Sequence, residues 1–519
     1  MKNNILFNKE SLFVIFLFFF SLLINQYYGN RGIFPVDSFS HFDTGYRILL
    51  DENPFKDYWV VSGPFIDYLQ ALFFYLFGVN WQIYVLHASI INAVATILTF
   101  LVLRSFNLST FYSFIYSIFF AVLAYPSSGT PFVDHHAAFL SLIGIYFLIL
   151  AIKSEKNYYW ILLPITFVFA FLSKQVPTAY IIISVILILI FYSIVQKKFK
   201  WIFYSASSFI LLVFFLLIFG KLQEINLNSF LEQYILYPQS IGNERFSNLN
   251  LNFNNLVAHF KFIYIAFLPY IFISLKEFFP DKKYFKNKNF YYFLIFVFLV
   301  FSLIFHQLLT RNQTFIFFLI PILTAFSHIK INSKQKILQV LLVLFCLFVT
   351  TKYHLRFNED RKFHELVNAD FNLAIEASKI DRKFLGLKWI TPEFEKNPSE
   401  EINLINEIKD YFKNDNRNKM IMTNYSFFSV ILEKKSFSTT RWHIFDGTDY
   451  PQIESKYFKS YKNLLINSLK LNNIEVIYTI HPVKNSNIYN YIDEKCFQEN
   501  KITKILKSYE LKSCEEING

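Results

Sequence analysis

The chain has 519 residues, of which 54% are hydrophobic and only 17% charged, where an ordinary soluble protein carries about 25% charge. That balance excludes a water-soluble globular enzyme and indicates a polytopic membrane protein. The net charge of +12 sits as short Lys clusters between apolar runs, which is how membrane-protein loops are charged and not how a nucleic-acid-binding face is built.

In chain order, the apolar stretch 11–25 has no small-residue cleavage site after it and reads as an uncleaved first helix. A spanning helix needs roughly 20 apolar residues. The candidates are 10–26, 82–104, 108–125, 136–152, 158–173, 177–195, 201–220, 256–275, 290–308, 314–328 and 337–352, or about 11 transmembrane helices. The pair 158–173 and 177–195 is broken at Ser173-Lys174-Gln175-Val176-Pro177, where a proline after a polar trio predicts a turn. The short apolar segment 64–78 carries Asp67 and Gln70 and reads as an interfacial helix lying along the membrane.

With the N-terminus inside, the inside loops hold sixteen Lys and Arg, and the longer outside loops before the tail hold eight. The positive-inside rule then fixes the orientation, and an odd number of spans puts the tail outside. That tail, 353–519, is polar and mixed. MIMTNY (420–425) and IEVIYTI (474–480) read as buried strands, and 399–413 and 456–472 as amphipathic helices, which makes a soluble α/β domain. It carries no P-loop, GxGxxG or HExxH motif. Cys496 and Cys514 lie in this tail and are able to pair if it lies outside the cytoplasm, while Cys346 falls in an apolar run.

On this topology three sets of polar groups face one side. The first outside loop supplies Asp37, His41, Asp43, Arg47, Lys56 and Asp57. The second, YPSSGTPFVDHHAAF, supplies Asp134, His135 and His136, and two later span ends supply Lys174 and Arg311. Ionisable groups at a bilayer are expensive and mark chemistry or transport. Asp37 reads as a general base or metal ligand, or as the cap of the helix that follows it. Asp134, His135 and His136 offer the oxygen and imidazole that suit a divalent ion such as Mg or Mn, unless Asp134 simply caps the next helix. Lys174 and Arg311 suit a lipid-linked phosphate, or act as snorkelling anchors. His443 and Asp446 in RWHIFDGTDYP read as a plain loop.

The order Asp37, GYRILLDENPFKDYW and SGPFIDYLQALFFYLFG, followed by Asp134, SKQVP with Lys174, and Arg311 before the run to Pro321, resembles the C-type (GT-C) membrane glycosyltransferases. This superfamily includes the protein O-mannosyltransferases and the lipid A aminoarabinose transferases. The resemblance covers roughly residues 10–352. It implies a GT-C-like transmembrane catalytic domain over 1–352, with an interfacial-helix loop at 27–81, and a soluble domain over 353–519 on the outer, periplasmic side of a bacterial inner membrane.

It also implies transfer of a sugar from a polyprenyl-phosphate donor to a lipid, glycan or protein acceptor, with membrane lipids and no nucleic acid as partners. Asp37 would be the catalytic carboxylate and Asp134 the second acid. Lys174 and Arg311 would neutralise the leaving phosphate. Arg47, Lys56, Asp43 and His41 are expected beside the substrate or supporting Asp37. Asp37, Asp134, His135 and His136 are the candidate metal ligands. Two features depart from the pattern: Asp-Ser stands where some members have paired acids, and His135-His136 has no counterpart. The competing readings are a flippase or transporter of lipid-linked saccharides, which would need mid-span charges or internal repeats, and a polysaccharide polymerase or ligase.

Overall fold

The computed structural model describes residues 9–280, 283–310, 316–331, 334–444, 446–481 and 486–514. Each of the eleven predicted spans falls on a helix. Seven helices among the described residues are long and apolar enough to cross a membrane: Glu10–Gly29, Trp81–Ser105, Val133–Ser154, Gln175–Gln196, Lys200–Leu222, Lys288–Thr310 and Lys336–His364. The chain is a multi-pass integral membrane protein.

The other four predicted spans are weaker for physical reasons. Thr110–Ala124, Asn157–Ser173 and Leu319–Lys330 have 15, 17 and 12 residues, reaching about 18–26 Å at 1.5 Å per residue against a hydrocarbon core of about 30 Å. Lys261–Phe278 carries Lys261, Lys276 and Glu277 within its 18 residues.

The chain forms two compact units, one of residues 1–29, 88–215 and 248–363, the other of 30–87, 216–247 and 364–519. In the first, Val133–Ser154 is the most enclosed span, with 83% of its apolar window buried, whereas Lys200–Leu222 buries none of its window. A helix apolar on every side is stable in that state only when lipid or another apolar surface surrounds it. The predicted break occurs where expected. Asn157–Ser173 ends, Lys174 is extended (φ −160°, ψ 138°), and Val176 is non-helical ahead of Pro177, to which it is joined by a cis peptide bond. A residue before proline is driven out of the α region, so the chain restarts there and leaves Lys174 at the junction.

The loop before Val133 is fastened by hydrogen bonds. Asn25 donates to the Gly129 carbonyl (2.8 Å), and the buried Arg361 donates to that of Ser127 (3.2 Å). Gly129 has φ +71°, and a Cβ there would lie 2.1 Å from the backbone nitrogen of Gly29.

In the second unit, Pro64–Phe77 is a 14-residue helix that buries Ile66, Asp67, Gln70, Ala71 and Phe74 and exposes Leu72, Tyr75, Leu76 and Phe77. It packs on Ser40–Leu49, where Gly45 leaves room for Gln70: a Cβ on Gly45 would stand 2.6 Å from the Gln70 Cγ.

The expected tail helices and strands form at Pro398–Asn414, Phe458–Leu471, Lys419–Met422 and Val476–Ile480. The two strands pair in parallel. Leu506–Leu511 then adds antiparallel to Val476–Ile480, and Phe497–Lys501 adds antiparallel to Leu506–Leu511. The alternation of a strand sends neighbouring side chains to opposite faces. Ile421, Val476 and Tyr478 join Ile402, Ile405 and Phe412 of the first helix, while Met420, Met422 and Ile477 join Tyr461, Leu465 and Leu469 of the second. The first of these cores also takes in Phe39, Phe42, Phe74 and Trp81 from the loop that follows the first span.

Cys496 and Cys514 are joined as a disulfide 18 residues apart. Closing a loop of that length removes about 3 kcal/mol of unfolded-state entropy, so Cys514→Ser is expected to destabilise the 364–519 segment by about that amount, read as a lower unfolding midpoint in denaturant.

Asp449 is buried with one carboxylate oxygen on Thr440, and burial pushes its pKa up to about 7 against the pull of Arg441. The folded state therefore holds this proton more tightly than the unfolded state does. Its contribution to stability is full at low pH and is lost as pH rises through about 7. Asp449→Asn is expected to flatten the fall in melting temperature between pH 5 and pH 8, and an unchanged slope would count against the assignment.

Candidate active site

One buried carboxylate organises the first unit. Asp134 lies in the first turn of Val133–Ser154 and is 3% exposed. The Lys174 Nζ donates to its Oδ2 at 2.7 Å, and the His306 Nε2–H donates to its Oδ1 at 2.7 Å. Four helices meet here for local reasons. Asp134 comes at the start of one, Lys174 is put at the junction of two by the Val176-Pro177 break, and His306 stands near the end of Lys288–Thr310. A carboxylate out of water is tolerable only with a counter-charge and its remaining lone pairs occupied, and Lys174 and His306 supply both. An ammonium has three N–H groups. Lys174 gives one to Asp134, and its side chain is 18% exposed, so the charge is held in place beside an accessible space.

The capping alternatives do not describe this site. The cap position before Val133 is Phe132, and that before Ser40 is Phe39, neither with a side-chain bond. Asp134 does not join His135 and His136 as a metal set. His135 stacks on Tyr125 with ring centroids 4.7 Å apart and meets the Ser127 Oγ at 3.2 Å. His136 meets the Tyr125 hydroxyl at 3.2 Å. Successive helical side chains diverge by about 100°, and both Asp134 oxygens are already taken. Among the described residues no group of three His, Cys, Asp or Glu side chains comes together to hold a metal ion. The residues around Asp134 do not fit a divalent ion.

Asp37 lies half-buried in the short helical turn Pro35–Ser38 of the second unit. Arg311 lies outside the described residues. The remaining loop residues have internal partners. Asp67, fully buried, accepts from His41 Nδ1–H (2.7 Å), from Thr44 Oγ (2.6 Å) and from Arg441. Burial pushes its carboxyl up, but the Arg441 charge and the His41 bond outweigh that and hold it below the usual carboxylate range. His41 is pushed down by burial and stays neutral at neutral pH.

Arg47 bonds Glu52 at 2.9 Å and the Ser438 carbonyl at 2.7 Å, with its guanidinium 4.3 Å from the centre of the Tyr58 ring. Asp43, its carboxyl raised by burial, accepts from Ser429. Lys56 pairs with Glu224 at 2.6 Å on the surface. Asp43 and Arg47 therefore join the loop 30–87 to the tail segment, while His41 supports Asp67 within the loop. The tail residue His443 is also buried, its backbone N–H bonded to the Asn424 side chain at 2.7 Å.

His306 and Arg441 were not anticipated. His306 had one signal, an imidazole beside Gln307 near the end of a largely apolar span. Arg441, in a polar loop of the tail, had none, because its partner is 374 residues away.

Residues 61–219 match the family model described as dolichyl-phosphate-mannose-protein mannosyltransferase. No curated protein matches the chain by sequence. Among solved structures, the crystal structure of ArnT from Cupriavidus metallidurans bound to undecaprenyl phosphate aligns with 96% of this chain and 97% of that one, at 10% identity and a TM-score of 0.42. The same protein in the apo state aligns over the same shares at 11% identity and a TM-score of 0.40. Over the matched residues, which include Asp134 and Lys174, the chain is similar to the dolichyl-phosphate-mannose-protein mannosyltransferases, in keeping with its resemblance to the C-type membrane glycosyltransferases.

Proposed function

We propose that this membrane protein is a glycosyltransferase that moves a sugar from a polyprenyl-phosphate-linked donor to a lipid, glycan or protein acceptor at the outer face of the membrane. The observation that carries the reading is the Asp134–Lys174–His306 arrangement, a fixed cation at the end of apolar helices, with Asp134 and Lys174 inside the segment similar to the mannosyltransferase family. The acceptor hydroxyl attacks the anomeric carbon and loses its proton to a carboxylate. The bond from that carbon to the phosphate oxygen breaks, and polyprenyl phosphate leaves with the electron pair.

The developing phosphate charge is the costly part of this transfer, and a cation already held in place stabilises it without reorganisation. Lys174 is assigned that role, with two N–H groups left for phosphate oxygens. Asp134 and His306 keep its ammonium in position. Asp37 is assigned the proton-accepting role on the resemblance of its loop. The disulfide supports placing the tail outside the cytoplasm, because such bonds persist in oxidising compartments.

Asp37→Asn is expected to lower sugar transfer in membrane vesicles by about a hundredfold or more, the usual worth of a general base, with expression and melting temperature unchanged. Wild-type activity in that variant would remove Asp37 from the mechanism. Lys174→Ala is expected to lower kcat/KM for the donor by about a hundredfold while the KM for the acceptor moves little. Equal losses for donor and acceptor would exclude a phosphate role.

A further inference from the structure

The helix Lys288–Thr310 buries a continuous stripe that widens towards its C-terminal end, where Ser302 and Ile304 are buried as well. Ile295, Phe296, Leu299, Val300, Leu303, His306 and Gln307 follow one another at helical spacing and are all buried, whereas Phe298 and Phe301 face outward. Leu303 and Gln307 are four residues apart and lie one above the other on this stripe. The helix packs against Gln175–Gln196 and Val133–Ser154, the helices that begin beside Lys174 and Asp134. Gln307 therefore points inward, on the same final turn as the imidazole that holds Asp134.

Gln307 is 3% exposed, and among the described residues neither its amide oxygen nor its amide nitrogen has a hydrogen-bond partner. A buried amide left unpaired at both ends is costly, since each unmet group forfeits its full hydration. Native chains keep few such groups, and each one calls for a missing partner. A primary amide offers one acceptor and two donors. That inventory suits neighbouring hydroxyl groups, each of which both donates and accepts. It suits a phosphate poorly, because the amide oxygen would face an anion.

We propose that Gln307 is a specificity-determining residue that hydrogen-bonds the hydroxyl groups of the transferred sugar, its carbonyl accepting from one hydroxyl and its NH2 donating to another. The inference rests on the glycosyltransferase reading and adds to it a division of labour. The Lys174 cation takes the phosphate and the Gln307 amide takes the sugar.

The test compares two probes, a polyprenyl monophosphate bearing a hexose and the same polyprenyl monophosphate without sugar, binding to the full-length protein and to its Gln307→Leu variant in lipid nanodiscs. Leucine fills a similar space without orphaned polar atoms, so the melting temperature is expected to hold or rise, which separates a binding role from a structural one. The wild type is expected to prefer the sugar-bearing lipid. Gln307→Leu is expected to lose about tenfold of affinity for that lipid, the worth of one or two hydrogen bonds, and none for the sugarless one. Retention of the sugar preference in the variant overturns the role of Gln307 and leaves the glycosyltransferase reading intact. Equal loss for both lipids also overturns it. A wild type that binds neither lipid removes the glycosyltransferase reading itself, and this inference with it.

Discussion

Charge withdrawn from water has to be neutralised within this chain, and two carboxylates show how. Asp134 and Asp67 are 3% and 0% exposed, and each is bound by a cation on one oxygen and an imidazole on the other. Removing one partner of such a pair leaves an uncompensated charge at a cost of about 3–5 kcal/mol. The partners are therefore fixed in place as firmly as any packed side chain. For Asp134 this means that Lys174 and His306 come from two other helices, so the ends of the helices that carry them are held in register. For Asp67 it means that Arg441, from the tail, is tied to a helix of the first loop.

The same pattern has different consequences in the two units. Around Asp67 every charge is enclosed. Thr44, His41 and Arg441 complete the carboxylate, and Phe39 lies among Phe384, Trp389 and Phe427 in the apolar layer beside them. This is an internal joint, and its neighbours His41, Asp43 and Arg47 are consumed by it. Around Asp134 the cation retains some exposure and spare donors. A pair that is closed on every side stabilises a fold. A pair with an open side holds a charge ready for a ligand, and the proposed division between Lys174 for phosphate and Gln307 for sugar draws on that difference.

The break between Asn157–Ser173 and Gln175–Gln196 links local sequence to this site. Had Val176 remained helical, Lys174 would lie inside a single long helix, as one of its regular turns. The proline keeps Val176 out of the helix, and Lys174, itself extended at the junction, reaches Asp134 with its ammonium.

The amino-acid sequence by itself determined the apolar spans, the Lys174 break, the short helix over 64–78 and the alternating strands of the tail, because each depends on residues near one another in the chain: run length, the proline constraint, period-two alternation. Asp134 and Lys174 were conspicuous as an acid and a base beside a bilayer, and the structure brings them together. Only the tertiary structure decided how charges are shared. Asp134 is drawn to His306, 172 residues away, and not to His135 next to it, because adjacent helical side chains diverge while packed helices bring distant ones together. Asp67 finds Arg441 across 374 residues, so the loop that follows the first span is joined to the tail. No local pattern encodes such a pairing. It exists because a buried carboxylate requires a counter-charge, and the fold supplies one.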